Sequence, residues 1–503
     1  MIASGQRRGG AGAAPALWGV LGLAGSMLIA LAAPHALHDS VVGWWYAPRW
    51  LGRAATPLIW IGMVALAVAW LGLGRRLPGR RTLLVIAAAW MTPLALAPPL
   101  FSRDLYSYLA QGTILHLGAN PYQAAPIVLH ALGRGHVLAA VSPFWRHTTA
   151  PYGPLFLELV SVVVGITGSH LIGGVLLTRA LQLVGVAVLA VYAPQLGRRL
   201  GTDARRALWL TVASPLFVLS LVAAGHNDAL MAGLLVAGVT IALDGRPLTG
   251  IGVCAVAATI KLPALAGAVF IAVAWARAEP HPDDARRLLA AATAIVIAVL
   301  GLVTLVSGVG LSWISSSVLS TPAKVRLAIT PGTALGYTIA WPLHQLGLDV
   351  STRALESAAG LLTASVTAIA VLALLWRVRV QNLVELLGAA LLIAAAGGPA
   401  AWPWYFGWGL VLVAAEARWQ PSRRLVAAIV LGAFVVQPNG LLALPLGAAP
   451  AVLLVYLVLA GIAWRRRRGR GSDVGPAADP SATSAGGGPG ARPSVASTLA
   501  RMP

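Results

Sequence analysis

The chain has 503 residues, 58% of them hydrophobic and only 10% charged, with a mean hydropathy of +0.80. Soluble domains carry about 25% charged residues, so these figures exclude an ordinary soluble globular protein and turn length into a count of membrane spans. The formal net charge of +21 does not point to nucleic acid, because the Arg residues sit in short clusters between apolar runs, as the positive-inside rule asks of cytoplasmic loops.

In chain order, apolar runs fall near 16–33, 54–73 and 82–100. After a long polar interruption they resume near 155–167, 171–193, 207–223, 228–243, 248–260, 262–275, 288–310, 333–347, 352–375, 383–397, 406–415, 425–437 and 448–463. The first run follows Arg7 and Arg8 without a clean cleavage site and reads as a retained helix. A full span needs roughly 20 residues, so the shorter runs read as tilted, broken or re-entrant. The lone Cys254 excludes a disulfide within the chain.

The clusters Arg75/Arg76/Arg80/Arg81, Arg198/Arg199/Arg205/Arg206, Arg286/Arg287, Arg377/Arg379, Arg423/Arg424 and Arg465 to Arg468 are assigned to the cytoplasm. The 101–153 loop then faces outward. An odd number of crossings must follow it before the 198–206 cluster. The 155–167 run is therefore a juxtamembrane or re-entrant helix, with 171–193 as the crossing, and 333–347 is a second non-spanning segment. The prediction is an all-α polytopic membrane protein of about 14 transmembrane helices. A cytoplasmic segment, 1–15, precedes a transmembrane domain, 16–465. A Gly/Ala/Ser/Pro-rich tail, 471–503, is too poor in apolar residues to fold.

The polar interruption gathers the candidate chemistry, and loops longer than about 15 residues are usually functional or disordered. If Ser102 caps a helix, Asp104 lies in its first turn, with Ser107, Tyr108 and Gln111 on the same face. A single carboxylate facing a polar groove suits a general base acting on a hydroxyl. The same pattern also fits an Asp that caps the helix or pairs with Arg103. Lys261 interrupts an apolar stretch, and Lys324 and Arg326 lie in an outward loop. The three could hold a phosphate, or could snorkel to lipid headgroups. His226-Asn227-Asp228 reads as a polar turn or helix cap that could orient a substrate. Trp402, Trp404, Tyr405 and Trp408 read either as an interfacial belt or as a stacking wall for sugar or polyprenyl. Asn120-Pro121-Tyr122 and Pro151-Tyr152-Gly153-Pro154 set the shape of the loop.

Taken in order, SRDLYSYLAQG, NPY, SPFWRHTTAPYGPL, AAGHNDALM, AATIKLPAL and PAAWPWYFGW resemble the actinobacterial polyprenol-phosphate-mannose-dependent α-(1→6)-mannopyranosyltransferases. These are the MptA/MptB-type enzymes of lipomannan assembly. The resemblance covers residues 15–465, and the wording of WLGLGRR and SPFWRHTTAPYGP looks closer to the MptA branch. It implies a GT-C fold, a multi-span bundle with a large first catalytic loop and juxtamembrane helices on the outer face. Asp104 matches the catalytic base. Many such enzymes pair two acids there, whereas this chain has Arg103, which puts a divalent-metal requirement in doubt.

The implied reaction is inverting transfer of mannose from polyprenyl-phosphate-mannose to a phosphatidylinositol-anchored α-(1→6)-mannan acceptor, in lipomannan and lipoarabinomannan backbone elongation. No nucleotide-sugar domain and no cofactor are expected. Lys324, Arg326 and Lys261 would hold the donor phosphate. Arg103, Tyr108, Gln111, Asn120, Tyr122, Arg146, Tyr152, His226, Asp228 and Trp404 would contact substrate. The implied location is the plasma membrane, with the active site on the outer face and both termini cytoplasmic. Two other readings stay open: a GT-C transferase for another lipid-linked sugar, and a polyprenyl-linked sugar transporter or flippase.

Overall fold

The computed structural model describes residues 13–36, 44, 46, 49–168, 170–314, 330–416, 422–442 and 444–469. The expected phosphate ligands Lys324 and Arg326, the N-terminal 1–12 stretch and the 471–503 tail lie outside them. Contacts divide the chain into two units, 1–452 and 453–503. The described part of the second is the C-terminal portion of the last helix.

The architecture is helical. The segments are α1 (Ala13–Ala36), α2 (Ala55–Arg75), α3 (Arg80–Leu96), α4 (Asp104–His116), α5 (Gly135–Ala140), α6 (Pro154–Thr167), α7 (Leu171–Arg199), α8 (Ala204–Leu210) and α9 (Pro215–Phe217). The chain runs on from α9 as a π-helix over Val218–Ala223. Next come α10 (Asp228–Leu243), α11 (Pro247–Ala258), α12 (Leu265–Ala276), α13 (Pro282–Val306), α14 (Pro331–Gln345), α15 (Thr352–Arg377), α16 (Leu383–Gly397), α17 (Pro403–Val413), α18 (Arg423–Phe434) and α19 (Ala449–Gly469). Among the described residues, six helices are long and apolar enough to cross a membrane: α1, α2, α7, α13, α15 and α16 with the turn before it. The pair 204–210 and 215–223, bent by 46°, would make a seventh. Further apolar helices of 10–17 residues, including α6, α10, α11 and α17, fill out the bundle. This is a membrane protein.

Glycine lets the α7–α10 pair approach closely. A Cβ on Gly185 would lie 2.4 Å from the Ala229 carbonyl oxygen, and one on Gly233 would lie 2.4 Å from the Gly185 oxygen. In lipid, where apolar side chains gain little by leaving their solvent, such small-residue contacts let backbones pack tightly. At α2 and α8, Trp70 and Trp209 stack at 4.5 Å. Each indole N–H donates to the other residue's carbonyl, at 2.8 and 2.9 Å.

Within the 101–153 segment, Ala110 and Ile114 of α4 pack on Leu129, Val137, Leu138 and Val141 as a small core of its own. It is a folded insert, which accounts for a long interruption surviving between apolar helices.

Arg179, fully buried in α7, fixes the chain just before this insert to the bundle. Its Nη1 donates to Ala95 O (2.9 Å) and Ala97 O (2.7 Å), and its Nη2 to Ala223 O (2.9 Å). Two chain segments thereby end side by side: the exit of α3 toward Asp104 and the exit of the π-helix toward His226. An intramembrane charge signals such a role. The sequence reading passed over this one because it sits inside an otherwise regular span. Substituting Arg179→Met would leave three carbonyls without their cationic donor, at a cost of about 3 kcal/mol or more. A lowered unfolding temperature in detergent is the expected result. Arg179→Lys should recover only part, since an ammonium lacks the guanidinium fork.

Candidate active site

The approach to Asp104 is bent by local strain. Phe101 has φ 65, a left-handed conformation uncommon for a bulky residue, and its N–H donates to Pro438 O at 3.1 Å. Ser102 Oγ then accepts the Asp104 backbone N–H at 3.1 Å, and α4 begins at Asp104 itself. The carboxylate therefore sits at a helix N-terminus, where the dipole favours negative charge.

His226 stands behind it. The turn into His226 needs Gly225, at φ +71, where a Cβ would fall 2.4 Å from Leu105 Cδ1. The His226 ring is fully buried, and its Nδ1 lies 3.4 Å from Asp104 Oδ2, whose side chain is 14% exposed. That separation is longer than a good N–H···O hydrogen bond, so the contact is chiefly electrostatic. The imidazole stacks on Trp404 at 3.8 Å, and Trp404 stacks on Trp402 at 4.7 Å. Burial pushes the Asp104 carboxyl upward. The polar contact and charge of His226, with Lys261 and the Ser102 hydroxyl, outweigh burial and hold it below its ordinary value.

A second carboxylate is fully paired. Asp228, 1% exposed, opens α10 and accepts from Lys261 Nζ at 2.9 and 2.7 Å. It also accepts from Trp408 Nε1 at 2.5 Å. Lys261 lies in the break between α11 and α12, where Pro263 cannot continue a helix. Its ammonium is 4.6 Å from the Tyr405 ring centre, within cation–π range. The end of the insert docks on the same break through main-chain bonds. Gly153 N donates to Ile260 O (3.0 Å) and Leu155 N to Thr259 O (3.1 Å).

These groups border a cavity of about 690 Å³. One wall is polar and built from loops, with Ser102, Arg103, Asp104, Tyr152, Lys261 and Asn439. The other is apolar and built from helices, with Ala266 of α12, Val371 of α15 and Ala390, Leu391 and Ala394 of α16. A carboxylate and an ammonium at the head of an apolar slot suit an amphiphile with an anionic head.

The remaining expected site residues divide. Arg103 and Tyr152 line the cavity. Tyr108 meets the edges of Tyr152 and Phe156, both at 4.8 Å, and its hydroxyl accepts the Asn227 N–H at 3.4 Å. Gln111 is 2% exposed, and its Oε1 has no hydrogen-bond partner. Asn120 clips the insert to the segment after α13, donating to Val309 O (3.0 Å) and Ser312 Oγ (2.9 Å). Tyr122 donates its hydroxyl to Tyr152 O at 2.7 Å. Arg146 donates to Val141 O (3.2 Å) and Ala139 O (3.0 Å). Asn120, Tyr122 and Arg146 thus hold the insert together. Sequence reasoning missed Trp402, Tyr405 and Trp408 as partners of the His226 and Asp228–Lys261 pairs, and nothing in their spacing signals it. Among the described residues, no group of three or more His, Cys, Asp and Glu could hold a metal ion.

Removing one member of a buried ion pair strands the other, at about 3–5 kcal/mol. Lys261→Met is therefore expected to lower the detergent unfolding temperature more than the double variant Asp228→Asn/Lys261→Met, a comparison made by thermal scanning of both.

A family model described as "Alpha-(1->6)-mannopyranosyltransferase, N-terminal domain" matches residues 12–277. A second, "MptB C-terminal domain", matches residues 332–466. The chain is 36% identical to alpha-(1->6)-mannopyranosyltransferase A of Mycobacterium tuberculosis, over 74% of this chain and 72% of that protein. It is 33% identical to a probable alpha-(1->6)-mannopyranosyltransferase of Mycolicibacterium smegmatis, over 78% and 77%. With alpha-(1->6)-mannopyranosyltransferase B of Corynebacterium glutamicum it shares 31% identity, over 71% and 63%. No solved structure matches the chain.

Proposed function

Since the chain belongs to the α-(1→6)-mannopyranosyltransferase family, we propose that it moves mannose from polyprenyl-phosphate-mannose to an α-(1→6)-mannan acceptor, elongating the mannan backbone of the cell envelope. The observation that carries this reading is Asp104, among the described residues the one carboxylate lining a cavity that is polar at the loops and apolar between α12, α15 and α16. The layout is of GT-C type. The shorter apolar helices add to the long ones toward about 14 spans, and the 101–153 insert faces outward from the plasma membrane. Both termini are cytoplasmic, 16–465 is the transmembrane domain, and a phosphatidylinositol-anchored mannan comes from the outer side.

In this reading the polyprenyl chain lies along the α12, α15 and α16 wall. Asp104 takes the proton of the acceptor 6-hydroxyl. That oxygen bonds to the anomeric carbon as the C–O bond to phosphate breaks, and its electron pair leaves with the phosphate. Attack from the face opposite the leaving group inverts the centre. Lys261 has three N–H donors. Two are taken by Asp228, and the third answers the charge developing on the leaving oxygen. Arg103 and Tyr152 meet the sugars directly, while Tyr108 packs against Tyr152, and Gln111, buried further along α4, lies outside the lining. His226 is a positioning residue. With one carboxylate oxygen turned to the imidazole, the other is left for the acceptor.

Transfer of labelled mannose to a short α-(1→6)-mannoside by membranes carrying the protein tests this. Asp104→Asn is expected to cut transfer by about 100-fold or more, with EDTA leaving the wild type active. Undiminished transfer by Asp104→Asn would remove the base. No transfer by folded wild type to any mannoside, with movement of the lipid-linked sugar across vesicles, would favour a flippase. The pH profile follows from the lowered Asp104 carboxyl. It stays ionised as pH falls through the ordinary carboxylate range, so the acidic limb of the rate should lie below that range. His226→Leu should move this limb upward and lower kcat with little change in KM, and His226→Asn, which keeps an N–H near the Nδ1 position but carries no charge, should restore only part of it.

A further inference from the structure

The cavity has one surface that the reaction above leaves unused, where the insert reaches Ser142, Pro143, Phe144 and Trp145. Most aromatic rings around the cavity are occupied by other protein rings. Trp402 and Trp404 stack on each other, and Trp404 also on His226. Tyr405 stacks on Trp408 at 4.6 Å, and Tyr152 packs against Tyr108 and Phe156. Phe101 is buried. Phe144, 55% exposed, and Trp145, half-buried, remain; among the described residues neither ring stacks on another.

These two rings are also held in advance of any ligand. Pro143 opens the single turn that carries them. Arg146 pins the turn from behind through Ala139 O and Val141 O, and Arg146 O accepts Ile127 N at 2.8 Å. Trp145 rests on the insert's own small core. A rigid aromatic that is half-covered on one side and open to a cavity gains contact area for little ordering cost.

We propose that Phe144 and Trp145 form the platform on which a mannosyl residue of the acceptor stacks, a subsite that rests on the mannosyl-transfer reading above. The argument is one of complementarity. The helix-built wall is apolar and continuous, which suits the lipid. A pyranose presents one face of C–H groups and a rim of hydroxyls. It needs an exposed ring beneath and polar groups within the same cavity, whose lining also includes Asn439 and Arg103. The same rings would otherwise serve as interfacial anchors in lipid. Their place on the cavity wall that also holds Asp104 favours the sugar. Acceptor specificity for a mannoside longer than one residue follows, because the platform holds a sugar by a contact distinct from the one Asp104 makes to the reacting hydroxyl.

The test is binding of α-(1→6)-mannobiose to the full-length protein in detergent, titrated by saturation-transfer NMR, beside the transfer assay. Trp145→Ala should weaken the Kd roughly tenfold. Phe144→Ala should weaken it less, and Trp145→Phe should keep part of the affinity. The donor KM should stay unchanged in all three. Should Trp145→Ala fail to fold, Trp145→Phe and Phe144→Ala decide the matter by the same measure. An unaltered Kd in the folded variants overturns the platform, as does wild type that binds no mannobiose. A raised donor KM with unaltered mannobiose binding assigns the rings to the lipid and overturns it as well. Mannobiose binding that depends on Trp145 in a protein that transfers no mannose would keep the platform and remove the proposed reaction.

Discussion

A carboxylate inside an apolar bundle is tolerable only beside a group that can answer its charge, and two such carboxylates organise this molecule. Asp228 is answered completely, by the Lys261 ammonium and the Trp408 indole. Asp104 is answered only in part, by an imidazole at 3.4 Å and a helix N-terminus. The difference divides their roles. A carboxylate with both oxygens held by protein donors is fixed in place. One that retains an unfilled oxygen toward a cavity can take a proton.

The scaffold serves this asymmetry. Arg179 fastens the end of α3 and the end of the π-helix to α7, so Asp104 and His226 emerge together although 122 positions separate them. Lys261 and Trp408 reach Asp228 from the α11–α12 break and from α17. The centre is thus assembled from four distant stretches, and three of them reach it at a helix end or break, where backbone geometry is freest to aim a side chain, while Trp408 reaches it from the middle of α17.

What could be read in the sequence follows from this construction. Asp104 was legible, because Ser102 two residues before it and the aromatic face after it are local signals. Lys261 was legible as a cation in an apolar stretch, though its partner was not. Long apolar helices such as α1, α2 and α7 announced themselves. The short ones did not declare whether they cross, since an apolar run of a dozen residues has the same composition in either case. The His226–Asp104 contact and the Trp402–Trp404–His226 stack join residues far apart, and no spacing encodes them. Asn120, Tyr122 and Arg146 were expected to contact substrate, and their side chains here hydrogen-bond to protein. Polarity in a loop cannot distinguish a side chain that meets a ligand from one that satisfies its own backbone.

The docking of Gly153 and Leu155 on Thr259 and Ile260 uses main-chain atoms alone. Such a joint is blind to the side chains on the accepting strand and unforgiving about the donor, since a Cβ at Gly153 would meet Thr259 O at 2.0 Å. The limit at 153 is therefore steric, while at 259 and 260 it comes from burial of the side chains, 0% and 1% exposed, and a substitution that keeps their volume leaves the joint intact. A survey of tolerated variants would find side-chain volume kept on one side of a single backbone contact and glycine alone on the other.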